Sequence, residues 1–450
     1  MRRPLLALAA VAAAFLILAS AAAGASYVPG RVVVKYRDGA PRVVREVVQR
    51  RTRTAFAARL PSGARELTVQ GDRSVPEVVA ALRRHPNVEY AVPDYIAHAA
   101  GFVPNDPGFG SAPGGWANTQ WDFAGPWGVD APDAWQEAIA AGAPGGRGVV
   151  VAVLDTGLAY ENHGRFRKAP DFPRGRVMHP YDFVDGDRHP NDENGHGTHV
   201  TMTIAEATNN RVALTGLAYG VKIMPLRVLD SEGSGDASSI SRAIRFAARH
   251  GARVINMSLE FDTSVTASQI PEIVSAVRYA HRKNAVMVAA SGNEADSAVA
   301  YPARTTHVIA VGATTQDGCQ ADYSNSGAGL KLVAPGGGSD APNADNPSDQ
   351  QNCHPGIDEP PIFQQTFSRD GRVRSFALRG AEYEGTSMAC PHVAASAALL
   401  IASRRLGRRP SANAVEARLE HTARDLGAPG YDTRYGWGLV QPAAALGPTP

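Results

Sequence analysis

Only three cysteines occur in 450 residues, Cys319, Cys353 and Cys390. A small fold stapled by several disulfides is thereby excluded. The formal net charge is only +2, so the chain lacks the strong basic excess of proteins that hold nucleic acid by its phosphates. Glycine-rich loops with phosphate-cradle spacing are absent. The pair His196 and His199 is spaced by three and lacks the H-E-x-x-H pattern of zinc hydrolases, which argues against a catalytic zinc. Beyond residue 25 no run is long and apolar enough to read as a membrane span.

The one long apolar run lies at the start. Arg2 and Arg3 precede a stretch rich in Ala and Leu that ends on Ala23-Gly24-Ala25. A positive start, an apolar middle and a small-residue exit read as a signal peptide over residues 1–25, so the protein is expected to be secreted or periplasmic. An uncleaved anchor is the alternative. Residues 26–100 carry thirteen basic against seven acidic groups, whereas residues 101–450 carry 30 against 36. Opposite signs suit two segments that dock on one another.

Residues 26–100 read as a small α+β unit, with strands near 31–36 and 88–92 and helical spacing over 40–52 and 74–84. A unit of about 70 residues is marginal in stability alone. From residue 148 the pattern changes. Apolar strands are expected at 149–154, 222–229, 254–257, 285–290, 307–312 and 330–334, with helices at 238–250, 269–283 and 389–402 between them. This alternation predicts an α/β fold with a mostly parallel central sheet covered by helices on both faces. Residues 336–380 read as one long loop rich in Gly, Pro, Asn and Asp, a length that is often functional. Cys390 falls in an apolar helix and reads as a buried thiol; whether Cys319 and Cys353 pair is left open by sequence.

Three strings carry chemistry. Asp155 closes the run Val151-Ala152-Val153-Leu154, where a buried parallel strand should end and where sites of open α/β sheets lie. His196 opens His196-Gly197-Thr198-His199-Val200. Ser387 lies in Gly385-Thr386-Ser387-Met388-Ala389, at the start of a helix apolar nearly all round. A serine hydroxyl is a weak nucleophile that needs a base, and the base needs an orienting partner. The helix amino end offers free N–H groups and a positive dipole to a developing oxyanion. Asn293, after the apolar strand near 285–290, is a candidate second donor. Separately, each residue also has an ordinary structural role: a turn former, a loop histidine, a helix cap, a turn asparagine. The order Asp, His, Ser is that of subtilisin-type hydrolases.

With these motifs the chain resembles the subtilisin-like serine protease family (subtilases, peptidase S8). The resemblance covers about residues 103–445 and extends to Tyr435-Gly436-Trp437-Gly438. It implies a serine endopeptidase using Asp155, His196, Ser387 and Asn293. It further implies substrate-binding strands at Gly233, Ser234 and Gly235 and at Ser258, Leu259 and Glu260, with Ala290, Ser291 and Gly292 forming the other wall of the primary pocket. Residues 26–100 resemble the family's inhibitory propeptide, with a tail at 94–101 that would occupy the cleft until self-cleavage. The sequence departs from the family at Thr201-Met202, usually small residues, and at Glu260, usually glycine.

Asp182, Asp185, Asp187 and Asn191 crowd acidic and amide oxygens into ten residues, a pattern that suits calcium and also suits a solvated turn. The resemblance implies calcium at these four, and a second calcium at Asp106, Asp171 and Asn210. The expected protein is thus a self-processed protease in two parts, 26–100 and 101–450. It binds structural calcium and no organic cofactor, acts on polypeptides as a monomer, and binds neither nucleic acid nor, once its signal is removed, membrane. An esterase is disfavoured because Gly385-Thr386-Ser387-Met388-Ala389 is not a G-x-S-x-G elbow. An inactive binding homologue is the other alternative.

Overall fold

The computed structural model describes residues 27–71, 73–95, 101–342, 353–367, 376–379 and 383–447. The expected signal segment and most of the expected propeptide tail lie outside the described residues. The chain divides into two compact units, residues 1–100 and 101–450.

In the first unit β1 (Tyr27–Tyr36), α1 (Arg42–Thr52), β2 (Thr54–Arg59), β3 (Arg65–Val69), α2 (Val75–Arg83) and β4 (Val88–Tyr95) form an antiparallel sheet in the order β2-β3-β1-β4 with two helices. Alternation decides which side chains turn inward: Val32 and Val34 of β1 are fully buried with Leu67, Val78, Leu82 and Ala91. Helix α2 starts on a capping box in which Ser74 and Glu77 satisfy each other's backbone N–H. Strands β2 and β3 fall outside the sequence expectation. They are short, charged and half exposed, so their apolar periodicity is faint.

The second unit opens with the short helices α3 (Trp116–Thr119) and α4 (Trp121–Ala124), then α5 (Ala131–Ala140). Its sheet is built from β5 (Val150–Asp155), β6 (Tyr181–Asp182), β7 (Lys222–Arg227), β8 (Val254–Met257), β9 (Val286–Ala290), β10 (Val308–Thr314) and β11 (Leu330–Pro335), in the order β11-β10-β9-β8-β5-β7-β6. Every pairing is parallel. All residues of β8, β9 and β10 are buried, which is why they read as unbroken apolar runs rather than alternating ones. One face packs on α6 (His196–Ala205) and α9 (Thr386–Ser403), the other on α7 (Ala237–Arg249) and α8 (Pro271–Arg282). Met202 is wholly buried on α6, so the departure from small residues there is absorbed by the core. Among the described residues only α9 is long and apolar enough to cross a membrane, and it is a core helix with sixteen of its eighteen residues buried.

The expected loop at 336–380 carries a hairpin, β12 (Gln364–Phe367) with β13 (Phe376–Arg379). The chain closes with α10 (Ala412–His421) and α11 (Pro442–Leu446). Strand β12 reaches the start of α6, where Thr366 Oγ1 donates to the carbonyl of Gly195 at 2.7 Å. Cys319 and Cys353 form a disulfide, and Cys390 is buried as a free thiol, its pKa pushed up to about 12 by burial.

Candidate active site

Asp155 is the last residue of the central strand β5 and is 1% exposed. Its Oδ1 accepts the Thr156 N–H at 2.7 Å and lies 2.7 Å from Nδ1 of His196, the first residue of α6. That contact fixes the imidazole with Nε2 directed away from Asp155. The fit is tight. A Cβ at Gly197 would meet the carbonyl oxygen of Gly157 at 2.3 Å, so only glycine lets α6 approach the end of β5 this closely.

Asp192 is an organiser that the motifs did not reveal. Its Oδ1 accepts from Thr156 Oγ1 and from the N–H groups of Asn194 and Gly195, and its Oδ2 accepts from the N–H and Oγ1 of Thr198. One buried carboxylate thereby ties the turn before His196 to the residue after Asp155. The Asn-Asp-Glu-Asn-Gly run at 191–195 is the signal that could have exposed it, because such residues bond the backbone a few positions ahead.

Ser387 lies in the first turn of α9. Gly385, at φ 151° and ψ 161°, adopts backbone that favours glycine and turns the chain into the helix. Ser387 Oγ donates to the carbonyl of Ser258 at 3.3 Å. His196 and Ser387 line one cavity of about 460 Å³, shared with Gly233, Ser234, Gly235, Ser258, Leu259 and Glu260. The six residues expected on the two substrate strands therefore surround the same opening as the candidate nucleophile and base. Asn194 and Thr156 also line it.

Ala290, Ser291 and Gly292 are buried and are not among the residues that line this opening. Ser291 Oγ donates to the Asn325 carbonyl, and the Gly292 N–H donates to Thr386 Oγ1 at 3.3 Å. The latter bond supports the helix residue preceding Ser387. Asn293 is oriented from both ends. Its Oδ1 accepts from the N–H and Oγ1 of Thr386 at 2.8 and 3.0 Å, and its Nδ2 donates to Glu260 Oε1 at 3.2 Å. Burial, and then the charge of Glu294, push the Glu260 carboxyl up to about 7.

The two acidic groups expected to hold calcium differ. Asp182 Oδ2 and Asp185 Oδ2 both accept from Arg227 Nη1, at 2.9 and 2.8 Å. Asp182 Oδ1 is taken by the N–H groups of Val184 and Asp185, Asp187 caps the N–H of His189, and the Asn191 amide donates to Glu161. A guanidinium from β7 thus neutralises Asp182 and Asp185, whereas Asn191 Oδ1 is buried without a hydrogen-bond partner. The other group fits. Asp106 accepts the N–H groups of Asn209 and Asn210 at 2.7 and 2.9 Å, and Asn210 Nδ2 donates to Asp171 Oδ1 at 2.6 Å. Both carboxylates are buried, and Asp171 Oδ2 has no hydrogen-bond partner. Asn210 Oδ1 accepts the Val212 N–H at 2.9 Å, and buried carboxylate oxygens with a spare lone pair are what a hard cation takes.

Residues 146–438 match the subtilase family model, and residues 16–94 match the fervidolysin N-terminal prodomain. The chain belongs to the subtilase family. This subtilase is 35% identical over 416 residues to a thermophilic serine proteinase of Bacillus sp. (strain AK1), covering 91% of this chain and 86% of that protein. It is 33% identical to thermitase of Thermoactinomyces vulgaris, over 73% of this chain and 94% of thermitase. Among solved structures, a protease from Pseudoalteromonas arctica superposes with a TM-score of 0.60 at 29% identity, covering 77% of this chain and 99% of that one. The subtilase is a serine-type endopeptidase with an N-terminal prodomain, and the parallel seven-stranded sheet is the family's fold.

Proposed function

We propose that this subtilase is exported as a precursor and hydrolyses peptide bonds with Asp155, His196 and Ser387. One observation supports this most: the Asp155–His196 contact of 2.7 Å ends at a cavity that Ser387 shares with both substrate strands. His196 Nε2 takes the proton of Ser387 Oγ as the oxygen attacks the scissile carbonyl carbon. Asp155 holds the ring and stabilises the imidazolium. The carbonyl oxygen becomes an anion, stabilised by N–H groups at the start of α9 and by Asn293 Nδ2, which exchanges Glu260 for it. Collapse expels the amine, which takes the proton from His196, and leaves an acyl group on Ser387. Water, deprotonated by His196, releases it. The extended peptide lies against the backbone of residues 233–235 and 258–260 as an added strand, with the wall at 290–292 behind its primary side chain.

In the same reading the prodomain inhibits the enzyme in cis until the chain cuts itself near residue 100. Asp106, Asp171 and Asn210 hold a calcium ion that ties the amino-terminal stretch of the protease to the loop after α6. Export is supported by the character of residues 1–25. A fluorophosphonate probe is expected to label Ser387 and no other residue, with labelling lost in Ser387→Ala. That variant is expected to accumulate uncut precursor, seen by amino-terminal sequencing. Casein hydrolysis is expected to exceed hydrolysis of short esters. An unlabelled wild-type protein would instead indicate an inactive binding homologue.

A further inference from the structure

Two imidazoles and a carboxylate meet on the surface of the protease unit, outside the cavity of Ser387. Glu161 and His163 belong to the segment that follows β5, and His189 to the segment that leads into α6. A carboxylate oxygen of Glu161 and one ring nitrogen of each histidine all lie within 4.8 Å of one another. His189 Nδ1 is 2.8 Å from Glu161 Oε1. The His163 ring stacks on the His189 ring, with centroids 4.0 Å apart and planes 9° from parallel. Among the described residues the His163 ring makes no hydrogen bond. Both histidines are exposed and the Glu161 side chain is partly so, so a small cation can reach all three from solvent.

The backbone that carries them is already held together. The Leu158 N–H donates to the Pro190 carbonyl at 2.9 Å, and Tyr160 Oη donates to the Arg188 carbonyl at 3.3 Å. Asp187 Oδ1 accepts the His189 N–H at 2.8 Å. Behind the carboxylate stands Asn191, whose buried amide donates to Glu161 Oε1 at 2.9 Å. Carboxylates that ligate metals are commonly fixed by such an outer hydrogen bond.

We propose that Glu161, His163 and His189 form a site for a divalent transition-metal ion of the zinc class. Two nitrogens and one carboxylate oxygen suit zinc, with water in the fourth position, whereas calcium takes oxygen ligands. Zinc bonds of 2.0–2.1 Å in a tetrahedron set ligand atoms about 3.3 Å apart, so the close pair opens slightly and the His163 nitrogen moves in. Exposed rings turn freely enough to do this. No thiol competes for the ion, because Cys390 is buried and the other two cysteines are paired. The ion joins the segment after Asp155 to the segment before His196, and so adds a cross-link between the two stretches that carry base and orienting partner. The proposal does not depend on the calcium reading above.

The test uses the untagged full chain carrying Ser387→Ala, which cannot digest itself, with calcium at saturation. Zinc chloride is titrated by calorimetry at neutral pH, and melting temperature is recorded with zinc and with EDTA. One equivalent is expected to bind and to raise the melting temperature. His163→Ala, His189→Ala and Glu161→Gln are each expected to weaken zinc binding about tenfold or more, since even the outer partners of metal ligands are worth 10- to 100-fold. Each is also expected to shrink the zinc-dependent rise, with the melting temperature in EDTA nearly level. His281→Ala, which breaks the stacked pair of His281 and His307 elsewhere on the surface, is expected to bind zinc as the parent does. Absence of zinc binding would overturn the proposal. So would unchanged affinity in all three cluster variants, which would place the ion at another histidine such as His196. Loss in both histidine variants with unchanged affinity in Glu161→Gln would strike the carboxylate from the ligand set. Should His189→Ala fail to fold, His163→Ala decides, because its ring holds nothing else in place.

Discussion

The hydroxyl of Ser258 donates to the main-chain carbonyl of Ser387 at 2.8 Å. The reason lies four residues beyond Ser387. A helical carbonyl normally accepts from the N–H at i+4, and here that position is Pro391, which has none. The side chain from the end of β8 fills the vacancy. It is itself fixed by Asn256, whose amide donates to Ser258 Oγ at 3.0 Å. Substrate strand and nucleophile helix are therefore joined through a bond that the proline makes necessary.

Ser258→Ala should leave this carbonyl without a donor and cost about 1–3 kcal/mol of stability. Pro391→Ala restores the helical N–H, so the double variant should lose less than the sum of the single losses. Urea unfolding of the four chains, each in a Ser387→Ala background, measures the coupling. Strict additivity would show that the two positions act separately.

Asn293 is held by Thr386 on its oxygen and by Glu260 on its nitrogen. Asn293→Ala removes a side-chain donor that peptide binding does not require. The kcat is expected to fall ~10²–10³-fold with KM nearly unchanged. A rise in KM at constant kcat would place Asn293 in ground-state binding instead.

Glu260 gives that donor a pH dependence. Its carboxyl is pushed up to about 7, first by burial and next by Glu294. Below that pH it is neutral and a weak acceptor. Above it the carboxylate binds Asn293 Nδ2 more strongly and competes with the oxyanion. Glu260→Gln should therefore match wild type near pH 5.5 and exceed it several-fold in kcat/KM above pH 8. Taking the ratio of the two enzymes at each pH cancels any pH dependence that they share. A ratio that stays flat across this range would remove Glu260 from the chemistry. With substrates cut after Arg, Leu or Phe, the same pair shows whether the carboxylate also favours a basic side chain.

The sheet was legible because its central strands are buried on both faces and must be apolar throughout. The expected strands at 149–154, 254–257 and 285–290 fall within a residue of β5, β8 and β9 at either end. The candidate site was legible because each of its residues follows a strand end or opens a helix in a short, glycine-marked string. Other features depend on partners far along the chain. Asp182 and Asp185 look like cation ligands until Arg227 arrives from more than forty residues away. Glu206, one Glu after a helix, carries no motif; only the fold shows that it is buried beside Asp171. The pairing of Cys319 with Cys353 was equally open, since spacing says nothing about how the intervening chain returns.

Asp192 belongs to this second class, and its consequence for catalysis is direct. Five donors converge on its two oxygens: three main-chain N–H groups and the hydroxyls of Thr156 and Thr198. Thr156 Oγ1 in turn accepts the Gly197 N–H at 2.9 Å, so the network grips the residues on both sides of His196. In Asp192→Asn one oxygen becomes an NH₂ group facing donors, and the charge that strengthened the others is lost. Stability should fall by roughly 3 kcal/mol. Thr156→Val removes only one acceptor and one donor and should cost less. If the network serves to aim the imidazole, kcat will drop in both variants with KM held, in the same order as the stability loss, and residual activity will keep the wild-type preference among peptide substrates. Asp192→Asn with normal kcat and lowered stability would confine Asp192 to holding the turn, and would mean that the bond to Asp155 suffices to orient His196.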